Sequence, residues 1–315
     1  MNKEVLDLVI IGSGPAGLTA SLYATRAMLN AVTLELMSVG GQVVTTTEID
    51  NYPGVPNTDG FTLTSLMKQQ AEDLGATIKL DGVKSIEKDS ETGLFTIHCD
   101  SQDILTKTVI VATGATPRHA GFKGEEEFSG RGVSYCGNCD AMFYRGKDVY
   151  VIGGGNTACE EALFLSNVVN HVTMVVRKDH MRAQLAMQEK IIAKDNIDIM
   201  YNTSIVSASG NFALSSIEFR DNLTQETHTE EFEEGSKGIF VFVGHTPVVD
   251  VLGDLVDYSP SNAVITDEWM KTKTDGLFCA GDIRECPIRQ IVTACADGAT
   301  AATAAAAYLG QNIIS

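Results

Sequence analysis

The sequence predicts an α/β protein built from two similar three-layer domains, the second inserted into the first. The chain has 315 residues, which is enough for two domains of ordinary size. Twice an apolar segment leads into a glycine-rich turn and a helix-compatible segment, first as "VLDLVII" and "GSGPAG", then as "KDVYVI" and "GGGNTA". The last part adds an apolar strand, a Gly-Asp turn and a long Ala-rich helix. This order predicts two Rossmann-like dinucleotide-binding domains of the ββα/βα type.

The expected domain boundaries lie at two crossovers, near residues 116 and 245. Residues 1–116 and 246–315 are predicted to form one discontinuous dinucleotide-binding domain, and residues 117–245 a second one that also carries Cys136 and Cys139. In the last helix, Pro287 is placed to begin the helix and Gly310 to end it.

The two glycine turns are typical of dinucleotide sites because each follows a strand and precedes a helix. The first glycine allows a tight turn, the second lets a pyrophosphate approach the backbone, and the third small residue packs the helix on the strand. Two copies in the same context favour ligand sites over turns selected only for packing. The candidate residues are Gly12, Gly14, Pro15, Ala16 and Gly17 in the first turn, and Gly153, Gly155, Asn156 and Thr157 in the second.

The end of the second strand in each unit distinguishes the two ligands. Glu35 follows the first turn at the distance where an acid accepts a hydrogen bond from a ribose 2′-hydroxyl. At the equivalent place in the second unit stand Arg177 and Lys178, and Arg182 follows. Two or three cations there favour the 2′-phosphate of NADPH, although solvated strand-end charges are the alternative.

Composition excludes several classes of protein. A formal net charge of −18 argues against a nucleic-acid partner, which clustered Lys and Arg would bind. No apolar run approaches the roughly 20 residues that span a bilayer, and the N-terminal segment lacks a signal-peptide cleavage site, so a cytoplasmic protein is expected. The acidic tracts "GEEEF" (124–128) and "EEFEEG" (230–235) are interpreted as solvated loops.

The segment "YCGNCDAMFY" contains the only C-x-x-C of the chain, formed by Cys136 and Cys139. It could be a structural disulfide, part of a zinc site or a redox couple. Zinc needs four ligands, and no second C-x-x-C or spaced histidine pair completes a site, so no metal is predicted. A static disulfide closing so short a loop adds little stability and would be reduced in the cytosol. The redox interpretation is therefore favoured.

With these motifs placed, the chain resembles the bacterial-type, low-molecular-weight thioredoxin reductases, of the class II pyridine nucleotide-disulfide oxidoreductases. The resemblance runs along essentially the whole chain. The motifs that carry it are "GSGPAG", "GGQ" with "TTTEIDNYPG", "ATGA", "CGNCD", "GGGNTA", "GHTP" and "AGDI" followed by "RQ". A C-x-x-C directly upstream of the second glycine turn is specific to this type.

The resemblance implies FAD in the first domain. Glu35 would hold the adenosine ribose, Asp282 the ribityl chain, and the start of the last helix would approach the flavin. The further residues implied along FAD are Gly41, Gln42, Asn51, Ala112, Gly114, Gly281, Arg289 and Gln290.

It also implies a route for electrons, from NADPH through FAD to the Cys136–Cys139 disulfide and on to thioredoxin or a thioredoxin-like protein. Cys139 would face the flavin and Cys136 would attack the substrate. Asp140 would assist as proton donor or acceptor. A homodimer is implied by the resemblance alone.

The chain departs from the family pattern in two places. The usual HRRxxxR motif for the 2′-phosphate is here Val176, Arg177, Lys178 and Arg182, which lacks the histidine and one arginine. Between the cysteines stand Gly137 and Asn138, where Ala-Thr is usual. The alternatives left open are therefore a reductase supplied by NADH or ferredoxin, a dithiol oxidase and a non-catalytic redox-sensing flavoprotein.

Overall fold

The computed structural model describes residues 4–46, 49 and 51–311, without the side chains of Asn138 and Cys139. The chain forms two compact units, Met1–Thr116 with Thr246–Ser315, and Pro117–His245. Within the described part, no helix is both long and apolar enough to cross a bilayer.

The first unit is a mostly parallel sheet covered by helices. Its strands run in the order β3-β2-β1-β6-β5-β4, and the C-terminal half of β6 also pairs with β17. The elements before the first crossover are β1 (Val5–Ile11), α1 (Pro15–Arg26), β2 (Ala31–Glu35), α2 (Gly60–Asp73), β3 (Ile78–Leu80), β4 (Val83–Lys88), β5 (Phe95–Cys99), β6 (Ile104–Val111) and β7 (Ala115–Pro117).

The inserted second unit has the same plan. Its central sheet is parallel, in the order β11-β10-β9-β15-β8, and the strands β12-β13-β14 form a separate antiparallel sheet. Its elements are β8 (Val133–Ser134), α3 (Gly137–Asp140), β9 (Asp148–Ile152), α4 (Asn156–Ser166), β10 (His171–Val175), α5 (Leu185–Ile192), β11 (Ile197–Met200), β12 (Thr203–Gly210), β13 (Leu214–Asp221), β14 (Thr227–Glu231) and β15 (Lys237–Val241).

The chain then returns to the first unit. The remaining elements are β16 (His245–Pro247), which pairs with β7, then β17 (Leu277–Cys279) and α6 (Ile291–Tyr308). Single 3-10 turns occur at Gly41–Thr45, Ala141–Tyr144, Gly253–Leu255 and Gly281–Ile283.

Alternation along the central strands produces the three layers. In β1, Leu8 and Ile10 pack with the small residues of α1 and α6, while Val9 and Ile11 face the other side of the sheet, where Phe95 also lies. In β9, Val149 and Val151 pack against α4, and Tyr150 packs against the antiparallel sheet. Both faces of each parallel sheet are covered, as buried parallel strands require. The predicted fold class is confirmed.

Candidate dinucleotide sites and redox loop

The first glycine turn joins β1 to α1. Gly12 has a φ of +98°, and a Cβ there would lie 2.4 Å from the carbonyl oxygen of Ala112. A Cβ at Gly17 would lie 1.9 Å from the carbonyl oxygen of Gly12, so packing requires glycine at both positions. A Cβ at Gly14 would only meet the Cα of Gly41, at 3.9 Å. The second glycine therefore leaves room that the fold does not need, which is where a pyrophosphate would approach.

The other residues of this turn are placed by the same strands and helix. Pro15 begins α1, and both Pro15 and Ala16 are buried. Gly114 lies just beyond the end of β6, with a φ of +70°. Its carbonyl accepts a hydrogen bond from the Val248 backbone N–H at 3.0 Å. The predicted residues of the turn thus share the carboxyl edge of the sheet, where ligands of open α/β sheets bind.

Glu35, at the end of β2, is tied to the same turn. Its Oε2 accepts hydrogen bonds from the Ser13 backbone N–H at 2.9 Å and from the Ser13 hydroxyl at 2.6 Å. Its Oε1 accepts from the Met37 N–H at 3.1 Å. These bonds hold the carboxylate beside the glycine turn, where a ribose is expected. Ser13 is not among the site residues predicted from the sequence, although its side chain fixes this acid.

Two segments predicted to lie along the flavin meet in the first unit. The Asn51 side-chain amide donates to the Gln290 side-chain oxygen at 3.0 Å. Gln290 is the N-cap of α6 and forms a capping box with Thr293. Gly41 and Gln42 form the start of a 3-10 turn. Of the neighbouring motif, Thr47, Glu48 and Asp50 lie outside the described residues.

The Gly-Asp turn at Gly281–Ile283 lies beside α6. Asp282 is half-buried; burial raises the pKa of its carboxyl, and the positive charge of exposed Arg289 opposes that shift. The turn is held by Asp297, which accepts from the Gly281 N–H at 3.1 Å and from Arg284 Nε and Nη2 at 2.6 and 2.8 Å. Arg284 and Asp297 are not among the site residues predicted from the sequence, although an acid within an alanine-rich helix is a signal for such a contact.

The second glycine turn repeats the design of the first. Gly153 has a φ of +145°, and a Cβ there would lie 2.3 Å from the Phe242 carbonyl oxygen and 2.7 Å from the Cβ of Ala158. A Cβ at Gly155 would meet nothing within 4 Å. Gly155 is also the N-cap of α4, which begins with Asn156 and Thr157. The second glycine is again free of any packing requirement.

The predicted phosphate-binding cations follow β10. The Arg182 N–H donates to the Gly154 carbonyl oxygen at 2.6 Å, which ties this segment directly to the glycine turn. Arg177, Lys178 and Arg182 are all exposed. Val176, which replaces the family histidine, is only 4% exposed and packs in the core. That position therefore presents no polar group to a ligand.

The cysteine motif follows β8. Cys136 is disulfide-bonded, and its N–H donates to the Ser134 hydroxyl at 3.1 Å. Its carbonyl oxygen accepts from the Asp140 N–H at 3.3 Å, which closes the four-residue helix α3. The Cys139 side chain lies outside the described residues, so its pairing with Cys136 stays a prediction. The cysteines outside this motif, Cys99, Cys159, Cys279, Cys286 and Cys295, are free thiols.

A buried acid supports the chain just before Cys136. Glu125 is 2% exposed and accepts from the backbone N–H groups of Ala120 and Gly121 at 2.7 and 2.6 Å, and from the Tyr135 hydroxyl at 2.9 Å. The expectation that tract 124–128 is a solvated loop is therefore wrong at Glu125, because three donors compensate its burial. This network fixes the residue next to Cys136.

The cysteine motif and the second glycine turn occupy the same edge of one sheet. The strands β8, β15 and β9 are adjacent and parallel, so the residues that follow them lie together. Phe242, which follows β15, lies next to both. A Cβ at Gly137 would lie 3.7 Å from its ring, and a Cβ at Gly153 would lie 2.3 Å from its carbonyl oxygen. Disulfide-bonded Cys136 and the second glycine turn thus share one sheet edge of one unit.

Comparison with known proteins agrees with this geometry. The family model described as "Pyridine nucleotide-disulphide oxidoreductase" matches residues 6–298. A thioredoxin reductase of Peptoclostridium acidaminophilum is 44% identical over 98% of this chain and 99% of its own length. One from Treponema pallidum is 40% identical, over 96% and 97%. The crystal structure of Lactococcus lactis thioredoxin reductase (FR conformation) aligns with a TM-score of 0.90 at 37% identity, covering 97% of this chain and 99% of that one. The chain therefore belongs to the pyridine nucleotide-disulphide oxidoreductases and, within them, to the low-molecular-weight thioredoxin reductases, which are flavoproteins that use a nicotinamide nucleotide.

Proposed function

We propose that the protein is an NADPH-dependent reductase of thioredoxin, with FAD in the first unit and a redox-active Cys136–Cys139 pair in the second. The observation that carries the proposal is the shared sheet edge in the second unit, where disulfide-bonded Cys136 and the Gly153 turn follow the two strands that flank β15. A structural disulfide would have no reason to occupy the edge where a nicotinamide nucleotide would bind.

The residues present fit the two cofactors. Gly14 and Gly155 leave a cradle at each turn that a larger side chain would fill. Glu35 stands beside the first cradle and exposed cations beside the second. A bound flavin would supply the two-electron link between the nicotinamide and the disulfide. In the first unit, Asn51, Asp282, Arg289 and Gln290 would position it.

The protein's own chemistry is dithiol–disulfide exchange. The Cys136 thiolate attacks a disulfide of the partner and forms a mixed disulfide, releasing one partner thiolate. The Cys139 thiolate then attacks Cys136, which releases the second partner thiolate and re-forms the Cys136–Cys139 bond. One disulfide is formed and one is reduced, so electrons balance. Asp140, beside Cys139 in sequence, would hold or deliver the proton. We also propose that the protein acts in the cytoplasm as a homodimer.

The test is anaerobic mixing of the yellow protein with NADPH or NADH while flavin absorbance is followed. Rapid bleaching with NADPH and slow bleaching with NADH supports the proposal. Buried Val176 supports NADH as the second candidate donor, since the pattern lacks one polar contact to a 2′-phosphate. Equal bleaching by both nucleotides would establish that second candidate, and bleaching by neither would point to another donor.

Replacing Arg177 by alanine should weaken the binding of NADPH and leave the binding of NADH unchanged. A guanidinium contact to a phosphate contributes about 1.5–3 kcal/mol, so we expect a roughly tenfold to hundredfold rise in the NADPH concentration needed for half-maximal flavin reduction. NADH lacks the 2′-phosphate and is the internal control. An equal effect on both nucleotides would show that Arg177 supports the fold and does not read the phosphate.

Replacing Gly14 by alanine should remove FAD without removing the fold. The added methyl group makes only ordinary contact within the protein, yet it occupies the space of the pyrophosphate, so FAD affinity should fall at least about tenfold, or about 1.4 kcal/mol. Far-ultraviolet circular dichroism of the apoprotein should be unchanged.

Gly17→Ala is the matched comparison, because its methyl group meets backbone at 1.9 Å and should impair folding itself. Flavin retention in Gly14→Ala would contradict the placement of the pyrophosphate at this turn.

A further inference from the structure

Glu161, on α4, is a carboxyl group with no evident structural role. Its Oε2 is inaccessible to solvent and has no hydrogen-bond partner among the described residues. Burying a polar group without a partner costs about 1–3 kcal/mol in proteins, and more for a charged one. Among the described residues, the acids that are buried as whole residues are compensated: Glu125 has three donors and Asp297 has Arg284. Glu161 is therefore an exception that needs an explanation.

The Glu161 carboxyl lies against the cysteine motif. A Cβ placed on Gly137 would come 2.0 Å from Glu161 Oε2. Gly137 follows Cys136 directly, and it is one of the two residues that stand between the cysteines. The carboxyl therefore occupies the space that a side chain at this position would otherwise take, next to the segment that carries the sulfur atoms.

Few charges reach this carboxyl. Burial raises the pKa of Glu161 to about 7, and the negative charge of neighbouring Glu160 adds to that effect. The elements packed around α4 also carry charged or titratable groups, and none of these contributes to the raised pKa. These groups are Asp140 on α3, Glu189 and Lys190 on α5, Asp148 on β9 and His171 on β10.

We propose that protonation of Glu161 is linked to the redox state of the cysteine motif. The Glu161 carboxyl binds a proton when the Cys136–Cys139 disulfide opens and releases it when the disulfide closes. The inference rests on the proposed function of the Cys136–Cys139 pair. Glu161 is not a catalytic residue here, because it acts through the charge of the loop and touches no substrate.

The linkage follows from charge. Reduction adds two electrons, breaks the S–S bond and, with one proton, leaves one thiol and one thiolate, since C-x-x-C dithiols ionise near neutral pH. A thiolate beside an unpartnered carboxylate is a like-charge pair, which raises the proton affinity of the carboxylate. Glu161 then takes one proton from solvent. When a partner disulfide reoxidises the dithiol, the thiolate charge disappears and the proton leaves.

The charge state of Glu161 makes reduction of the disulfide depend on pH. Well below pH 7, near pH 6, Glu161 is largely protonated with the disulfide open or closed, so it has little effect on the equilibrium. Above pH 7 the closed form carries a carboxylate and the open form is pushed to bind a proton, so the carboxylate disfavours reduction. Glutamine at this position is a permanent mimic of the protonated form and should abolish that dependence.

The experiment equilibrates the holoprotein with dithiothreitol redox buffers between pH 6 and pH 8, without nicotinamide or thioredoxin. The samples are then quenched with acid and alkylated in denaturant. The dithiol form takes up two more alkyl groups than the disulfide form, and mass spectrometry separates the two. At pH 8 the ratio of dithiol to disulfide should be about fivefold higher in Glu161→Gln than in the wild type. This is the difference expected if the thiolate raises the pKa of Glu161 by about one unit. At pH 6 the two proteins should agree.

Glu160→Gln is the matched control on the same helix. It removes an exposed carboxylate and leaves Glu161 in place, so the pH dependence should persist with its inflection at lower pH. A ratio between Glu161→Gln and wild type that is constant from pH 6 to pH 8 would overturn the inference. If the wild type never gains two alkyl groups in any redox buffer, its disulfide does not open and the proposed function is contradicted instead. The two failures can therefore be told apart.

Gly137→Ala gives an independent route should Glu161→Gln fold poorly. Its methyl group overlaps the carboxyl oxygen and must displace that flexible side chain, so the pH dependence should weaken. Adding Glu161→Gln to Gly137→Ala should then change nothing further, because the two substitutions remove the same contact. A full additional effect in the double variant would contradict the proposed linkage.

Discussion

Replacing Cys136 by serine is expected to abolish thioredoxin reduction while leaving flavin reduction by the nicotinamide nucleotide intact. A serine hydroxyl neither forms a disulfide nor attacks one at neutral pH. The cysteine motif then cannot exchange disulfides with thioredoxin. Loss of an essential nucleophile lowers turnover by roughly 10⁴-fold or more. The measurement has two parts: steady-state reduction of a thioredoxin disulfide, and anaerobic bleaching of the flavin.

Cys99→Ser is the matched control, because Cys99 is a buried free thiol in the first unit, outside both candidate sites. It should keep wild-type turnover. Retained thioredoxin reduction in Cys136→Ser would contradict the proposed route. A wild type that binds flavin and cycles its disulfide but reduces no protein disulfide would instead support the redox-sensing alternative, and one that passes electrons to oxygen would support the oxidase.

The glycine turns could be predicted from sequence because their signal is local. A strand, a glycine pattern and a helix occur in one contiguous segment, and both turns form as that pattern predicts. Sequence could not distinguish the glycines that packing needs from those that a ligand needs. Gly12 faces the carbonyl of Ala112 beyond the end of β6, and Gly17 faces the carbonyl of Gly12, whereas a methyl group at Gly14 or Gly155 would meet at most an ordinary van der Waals contact. That distinction depends on three-dimensional neighbours.

The start of the last helix shows the limit of local rules. Proline is favoured at a helix start, which predicts that Pro287 begins α6, but the helix begins at Ile291 with Gln290 as its N-cap. The reciprocal hydrogen bonds of Gln290 and Thr293 form a capping box that sets the boundary. The shift matters because Arg289 and Gln290 then lie before the helix, where Gln290 also accepts from Asn51.

Buried acids were the least predictable part of the candidate sites. A charged residue in a run of glutamates predicts a solvated loop, and Glu125 is buried because backbone N–H groups and Tyr135 converge on it. Glu161 lies in an amphipathic helix where nothing in the sequence distinguishes it from exposed Glu160. Its position against Gly137 arises from packing between α3 and α4. Such contacts join distant segments, and no local pattern encodes them.

Replacing Asp297 by alanine is expected to destabilise the first unit by about 3–5 kcal/mol, because it leaves the Arg284 guanidinium partly buried without its acceptor. The two side chains are only 9% and 17% exposed, and two nitrogen atoms of Arg284 contact the carboxylate. The Gly281 N–H loses its acceptor as well, which frees the turn that carries Asp282. We therefore expect weaker flavin binding in addition to the lower stability.

Urea unfolding followed by flavin release and by circular dichroism would measure both effects. Asp257→Ala is the matched control, since it breaks a carboxylate–lysine pair in the same unit whose side chains are 62% and 45% exposed. Such a surface pair contributes about 0–1 kcal/mol, so the control should unfold close to the wild type. A similarly small effect of Asp297→Ala would mean that water reaches Arg284 and solvates it. The Gly-Asp turn would then be held by the strand and helix that flank it, and the buried pair would not be what positions Asp282 for the flavin.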